Sequence, residues 1–474
     1  MSSVPSTSKR KVVVIGAGPA GYVCGIRLAQ LGQDVTVVEK EYWGGTCLNV
    51  GCIPSKALIA AGSLVERIKH ADVMGIKVAA PTIDVAKLVE WKQGIVGKLT
   101  GGVAGLLKNY GAKTVMGAAK IVGKGKVEVT TEAGKQVLEC DDIVIATGSE
   151  PINIPGFTCD EKDVWSSTGA LRPTVIPAHL AVIGGGYIGL ELGMMYAKLG
   201  SKVTVLEATP GLLPGQERDC VKVIERSAKK MGITVHTETF AKGYERKGDK
   251  LVVTIEKQGK KETFECDQIL STVGRKPYSK DLGLESVGLV PTKQGFLEVD
   301  SKLRTKVAGF YAVGDIAGQP MLAHKGSKEG LIAAAVIAGQ SDEYDARCVP
   351  AVIFTAPEMA SVGLTEDQVK EKGIEYKTGQ FPFAASGRAM SLMETDGFVK
   401  IISDAKTDEV LGVHMVGPEV TELIAEAALA IELGATVEDI ARTIHAHPTL
   451  PEAVMEAAEA VHGMVVHIYQ KPKK

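Results

Sequence analysis

Residues 11–40 read KVVVIGAGPAGYVCGIRLAQLGQDVTVVEK. A short apolar strand runs into Gly16, Gly18 and Gly21, a helical pattern follows, and a second apolar strand ends on Glu39. One G-x-G-x-x-G is a weak signal, but this chain carries two. Residues 180–208 read LAVIGGGYIGLELGMMYAKLGSKVTVLEA, with Gly184, Gly186, Gly189 and Glu207 at a constant offset of 168. In both copies the acid lies 18 residues past the last glycine. The spacing has a mechanical reason. The first glycine permits a tight bend, the second lets backbone approach a pyrophosphate, and the third lets helix and strand pack closely. The helix start offers free amides to phosphate, and the acid accepts from ribose hydroxyls. Two dinucleotide-binding α/β units are expected. Glu207 would repel a 2′-phosphate, which favours NAD over NADP in the second unit.

A later strand recurs too, as DDIVIATG at 141–148 and DQILSTVG at 267–274. From Gly21 to Gly148 is 127 residues and from Gly189 to Gly274 is 85, so the first copy is longer by 42. The segment GGTCLNVGCIPSK at 44–56 and the helical stretch after it account for the excess. The two units should therefore differ in role, one carrying a redox group and the other an exchangeable cofactor.

Cys47 and Cys52 lie five positions apart, with Cys47 eight residues after Glu39. In an ideal helix such residues have α-carbons about 8.6 Å apart, while a disulfide needs roughly 4.4–6.8 Å. A bridge would require distorted backbone, and Gly51 and Pro54 supply the means. Thr46 as an N-cap would put Cys47 at the positive end of a helix and lower its thiol pKa. Inert core thiols or half of a zinc site are the other readings. Zinc needs a second close pair, and Cys24, Cys140, Cys159, Cys220, Cys266 and Cys348 are scattered singly. No metal site is expected.

The 474 residues allow two to four domains, and a net charge of −2 with 23% charged residues argues against nucleic-acid binding. No apolar run reads as a membrane span, and residues 1–10 have no secretory apolar region. Scattered cysteines suit a reducing compartment. The expected location is the bacterial cytoplasm, or the mitochondrial matrix for a mature form. The two ends, Ser6–Lys11 and Gln470–Lys474, read as solvated tails.

GFYAVGDI at 309–316 is an apolar strand ending in Gly314-Asp315. The acid there suits a sugar-alcohol chain or an ordinary turn. From about residue 350 short strands and then helices near 420–433, 437–443 and 451–462 imply a third, α+β domain with an interface role. It contains IHAHPTLPE at 444–452. His447 before Pro448 stands outside the helix, and Glu452 falls in its first turn. The two can form an oriented base–acid pair; a capping histidine with a dipole-compensating acid explains the same residues. His445 is taken as structural.

Together these segments resemble the flavin-dependent pyridine nucleotide–disulfide oxidoreductases over nearly the whole chain. Ser55-Lys56, FPFAASGR at 381–388 and Thr449-Leu450 look like the lipoamide branch. Pro451 is a departure, standing where many relatives carry Ser or another polar residue. The resemblance implies an α/β fold of two Rossmann-like domains, an FAD-binding one at 1–150 continued by 278–350 and an NAD-binding one at 151–277, with a C-terminal α+β dimerisation domain at 351–474. It implies FAD held by Gly16, Gly18, Gly21, Glu39, Lys56, Gly148, Asp315 and Ala323. NAD would be held by Gly184, Gly186, Gly189, Glu207 and Gly274, with Glu191 paired to Lys56 beside the flavin. The implied activity is oxidation of dihydrolipoamide with reduction of NAD, through a Cys47–Cys52 redox disulfide. His447 and Glu452 would serve the partner's disulfide in a homodimer. The implied protein partner is a lipoyl-bearing acyltransferase subunit of a 2-oxo acid dehydrogenase complex, or a glycine-cleavage lipoyl protein. An NAD(P)H-dependent reductase of another small disulfide is the alternative, and a nucleotide-binding redox sensor is a further one.

Overall fold

The structure is a computed structural model and describes residues 9–471. Its first sheet has five parallel strands in the order 310–312, 142–145, 11–15, 34–39, 113–116. The central strand Lys11–Ile15 is almost wholly apolar and buried, as a parallel strand covered on both faces must be. Helices Pro19–Gln30 and Ala323–Ile337 pack on each other against this sheet. The strand Phe310–Ala312 therefore returns to the first sheet after the whole second unit has been built.

The second sheet repeats the plan in the order 234–236, 202–206, 179–183, 268–271, 164–165, again parallel. Between its second and third repeat strands stands one regular helix, Arg218–Lys230. The first unit has Gly45–Val50, Cys52–Lys69 and Val85–Asn109 in the same place, which is where its extra length lies. The third sheet is antiparallel, in the order 351–353, 358–363, 410–417, 398–404, 376–382. Helices Val420–Leu433 and Glu452–His462 cover it. Close approach of the latter helix requires Gly379, where an added Cβ would meet Ala457 O at 2.3 Å.

Two expectations need correction. Taken as one run, Gly45–Lys69 is 25 residues long and apolar enough to cross a membrane by length and composition. It is broken at Gly51 and its second part packs on helix Tyr187–Lys198, where Lys198 Nζ donates to Ser63 Oγ at 2.9 Å. The ends are also less free than expected. Lys11 opens a strand, Arg10 pairs with Asp142, and Gln470 Nε2 donates to Ala460 O at 3.0 Å. Ser6–Ser8 and Pro472–Lys474 lie outside the described residues.

Candidate active site

The two glycine turns have nearly the same backbone. Gly16 has φ 104° and Gly184 φ 105°, conformations that L side chains rarely adopt. A Cβ there would meet Ala146 O at 2.3 Å or Thr272 O at 2.6 Å. Gly21 and Gly189 are shut in likewise, against Gly16 O at 1.9 Å and Gly184 O at 2.2 Å. Gly18 and Gly186 differ in kind. A Cβ on Gly18 would meet only Gly45 Cα at 4.0 Å, and one on Gly186 nothing within that distance. Both acids fasten their turns. Glu39 accepts from Ala17 N at 2.7 Å and Glu41 N at 2.8 Å; Glu207 accepts from Gly185 N at 2.6 Å and Thr209 N at 2.7 Å.

A cleft of about 540 Å³ runs from the first turn to the cysteines. Gly16, Gly18, Glu39, Cys47, Cys52, Lys56, Gly148, Glu191, Asp315 and Ala323 line it. Gly184, Gly186, Gly189, Glu207 and Gly274 belong to the second sheet's turns and do not.

The chain breaks its helix between the cysteines. Gly51, at φ −142° and ψ −115°, ends Gly45–Val50 and caps Cys52–Lys69. The expected start at Thr46 is thus corrected: Gly44, at φ 87°, is the cap, and Cys47 is the third residue of a six-residue helix. Cys52 instead is the first residue of an 18-residue helix, where free amides favour an anion. Both cysteines are thiols. The hydrogen bond from Cys47 draws the Cys52 thiol down to about 7, helped by the Lys56 cation and opposed by burial. The same bond, with burial, pushes Cys47 up. The stabilised thiolate is therefore on Cys52, contrary to the expectation for Cys47.

Lys56 stands one turn after Cys52, and its Nζ meets Glu191 Oε2 at 2.9 Å. The other oxygen of buried Glu191 accepts from Phe354 N at 2.8 Å, and Lys56 Nζ lies 4.5 Å from the centre of the Phe354 ring. One carboxylate thus joins the cysteine helix, the second unit and the start of the third. The sequence reading missed Phe354, Ser149 and Arg275. Arg275 donates to Ser149 Oγ at 2.8 Å and Ser149 O at 2.6 Å, and Ser149 Oγ donates to Asp315. Arg275 directly follows Gly274 in the recurring element, which was the available signal.

His447 Nδ1 meets Glu452 Oε1 at 2.9 Å, and Glu452 Oε2 accepts from Thr449 N at 2.8 Å. With Nδ1 donating, Nε2 is left as the base. The His447 side chain is 82% exposed and does not line the cleft, so within one chain it is not brought to the cysteines. His445 has both ring nitrogens engaged, by Thr443 O at 2.8 Å and Glu426 at 2.8 Å. Among the described residues one acidic cluster has metal-ligand geometry, Glu217, Asp219 and Glu366, and the Lys400 ammonium sits on all three.

A family profile described as pyridine nucleotide-disulphide oxidoreductase matches residues 10–330, and that family's dimerisation domain matches 349–458. The chain belongs to this family. As such it is an oxidoreductase whose cofactors are FAD and NAD, and its dimerisation domain makes it a homodimer. It is 51% identical over 457 residues to dihydrolipoyl dehydrogenase of Bacillus subtilis strain 168, covering 96% of this chain and 97% of the relative. It is 49% identical over 461 residues to dihydrolipoyl dehydrogenase of Geobacillus stearothermophilus, covering 97% and 98%. Among solved structures, LpdA from Mycobacterium tuberculosis superposes with a TM-score of 0.89 at 28% identity, covering 95% of this chain and 99% of that one. The HOCl-induced flavoprotein disulfide reductase RclA from Escherichia coli gives 0.86 at 27%, covering 95% and 100%.

The oxidoreductase's residues fit both cofactors. Each turn has a cradle open at its middle glycine and closed at the outer two, as an approaching pyrophosphate requires. The long cleft joins the first cradle to the cysteines.

Proposed function

We propose that this chain is a dihydrolipoyl dehydrogenase, oxidising protein-bound dihydrolipoamide to lipoamide with reduction of NAD⁺ to NADH. The observation that carries the reading is the hydrogen-bonded pair Cys47 and Cys52 on the cleft wall, with Lys56 one turn further along the Cys52 helix. Residues 1–150 and 278–350 form the FAD-binding unit, 151–277 the NAD-binding unit and 351–474 the interface unit. FAD is held by Gly16, Gly18, Gly21, Glu39, Lys56, Gly148, Asp315 and Ala323. NAD is held by Gly184, Gly186, Gly189, Glu207 and Gly274, with Glu191 between the two.

His447, oriented by Glu452, takes a proton from one substrate thiol across the homodimer interface. The resulting thiolate attacks Cys47 Sγ of the oxidised pair. The Cys47–Cys52 bond breaks, and Cys52 leaves with the electron pair as a thiolate, stabilised by Lys56 and the helix start. The second substrate thiol then attacks the mixed disulfide and closes the lipoyl ring, its proton passing to the departing Cys47 sulfur, so that the pair is left as the Cys47 thiol and the Cys52 thiolate with the first proton still on His447. Bound FAD and NAD supply the two-electron path from the Cys47–Cys52 dithiol to NADH. Glu191 keeps Lys56 in place, and Glu207 excludes a 2′-phosphate.

The partner is a lipoyl-bearing acyltransferase subunit of a 2-oxo acid dehydrogenase complex or a glycine-cleavage lipoyl protein. The location is the cytoplasm, in keeping with the bacterial and archaeal relatives. Steady-state reduction of NAD⁺ and NADP⁺ by dihydrolipoamide tests the reading. NAD⁺ is expected to be strongly preferred, and C47S and C52S to abolish turnover. Undiminished turnover in C47S, or a strong NADP⁺ preference, refutes it.

A further inference from the structure

Helix Glu452–His462 carries two carboxylates one turn apart, Glu452 and Glu456, on the same face. Each holds an imidazole through Nδ1. His447 meets Glu452 at 2.9 Å, and His467 meets Glu456. His467 belongs to the tail after the helix. Gly463, at φ 72°, turns the chain back. Met464 N then donates to Glu459 O at 2.9 Å, Gln470 Nε2 donates to Ala460 O at 3.0 Å, and Val465 and Ile468 pack on the core of the third sheet. The tail is laid along the helix toward the His447–Glu452 pair.

Glu456 is the unusual member. It is 4% exposed, and its Oε2 has no hydrogen-bond partner among the described residues. A buried carboxylate with an unused oxygen is costly unless its charge is met. Among the described residues His467 is the only cation within ion-pair distance of it. None of the steps above uses either residue.

We propose that His467 and Glu456 form a second imidazole–carboxylate pair that positions His447–Glu452 and sets the proton affinity of His447 at work. The inference rests on the reading of His447 as the base. Its physical content is a charge balance. Glu452, Glu456 and Glu459 face the pair from the helix. His447 faces it from the loop, where His445 is already tied to Glu426 of the neighbouring helix; Arg442 is tied to Glu438. With His467 protonated, its cation offsets Glu456, so His447 feels one uncompensated carboxylate fewer. The hydrogen bond to Glu456 holds His467 above its ordinary value. At Glu452 burial works against ionisation, but the Thr449 amide, the His447 hydrogen bond and the charges of His447 and His467 outweigh it.

The test is the pH profile of kcat/KM for dihydrolipoamide in the loaded homodimer. H467Q can still donate to Glu456 but carries no charge. Its acid limb should move up by about 0.2–0.7 pH units, the size of an exposed charge pair. H467R restores the cation and should restore the wild-type limb. A profile for H467Q that superimposes on wild type overturns the proposal, as does a shift that persists in H467R. H447Q in the same series separates the two readings. If it keeps wild-type kcat/KM, the assignment of His447 as base has failed. If it loses about 100-fold or more while H467Q is unmoved, only the second pair has failed.

Discussion

Lys56 and Glu191 act on Cys52 with opposite signs, so removing one or the other should move its ionisation in opposite directions. The Cys52 thiol ionises at about 7, lowered first by the Cys47 hydrogen bond and then by Lys56, and raised by burial and by Glu191. An opposite charge within a few ångströms lowers a pKa by roughly 1–3 units. The Lys56 side chain is 32% exposed and already paired with Glu191 at 2.9 Å, so the lower end applies. K56M should raise the midpoint by about one unit, which is about 1.4 kcal/mol. At pH 7 the thiolate fraction then falls from about one half to about one tenth, a fivefold loss in thiolate reactivity. E191Q keeps the shape and an acceptor for the Phe354 amide but removes the like charge. Its midpoint should fall by less than K56M raises it, because Glu191 is the weaker of the two influences, with less than a twofold gain at pH 7. The assay is alkylation of the reduced protein by iodoacetamide between about pH 5 and pH 9, with the Cys52 peptide followed by mass spectrometry. Two midpoints that stay at the wild-type value, or that move the same way, would refute the charge argument.

Lys400 is buried at the contact between the second unit and the third sheet, with Nζ at 2.8 Å from Glu217 and 2.9 Å from Asp219, and in contact with Glu366. K400M leaves buried Glu217 without its cation, while Asp219 keeps Lys222 and Glu366 keeps Lys370, and should cost about 3–5 kcal/mol. At about 2.1 cal/mol/K per residue, a 474-residue chain melting as one unit loses roughly 3–5 °C, read by calorimetry. Burial works against ionisation of Glu366, but hydrogen bonds from Lys370, Lys400 and Tyr376 hold it down at about 2. Its contribution is complete above the unfolded value near 4.5 and fades as pH falls toward 2, so the gap between K400M and wild type should narrow there. At the second cradle, Gly186 has an ordinary extended backbone, φ −76° and ψ 178°, and open space before it. G186V should fold and keep bound FAD, yet weaken NAD⁺ binding at least about tenfold, or 1.4 kcal/mol. Unaltered NAD⁺ affinity would place the pyrophosphate elsewhere.

The parts of the fold that were legible were those written in local backbone constraints. The duplicated glycine turns, the strands around them and the returning Glu39 and Glu207 each follow from a few adjacent residues. So does the excess length of the first unit, which falls on the helices after Glu39. The cysteine segment was half legible. The need for a break near Gly51 followed from helix geometry, but the end of the helix on which each thiol would sit did not. That depended on Gly44 taking the cap from Thr46 and on Gly51 starting a new, longer helix at Cys52.

Repeat, spacing and residue type settled from sequence alone that this is a two-cradle α/β chain with a close cysteine pair and a histidine-bearing third domain. Those features are set by short-range sterics, which any stretch of ten residues carries with it. Tertiary structure alone decided which sulfur holds the negative charge, that Glu191 joins Lys56 to the Phe354 amide, and that Lys400 and His467 each find buried carboxylates. Lys56 and Glu191 are 135 positions apart, and Lys400 and Glu217 are 183. Pairings at such separations leave no period in the sequence, because packing brings them together and no local rule does.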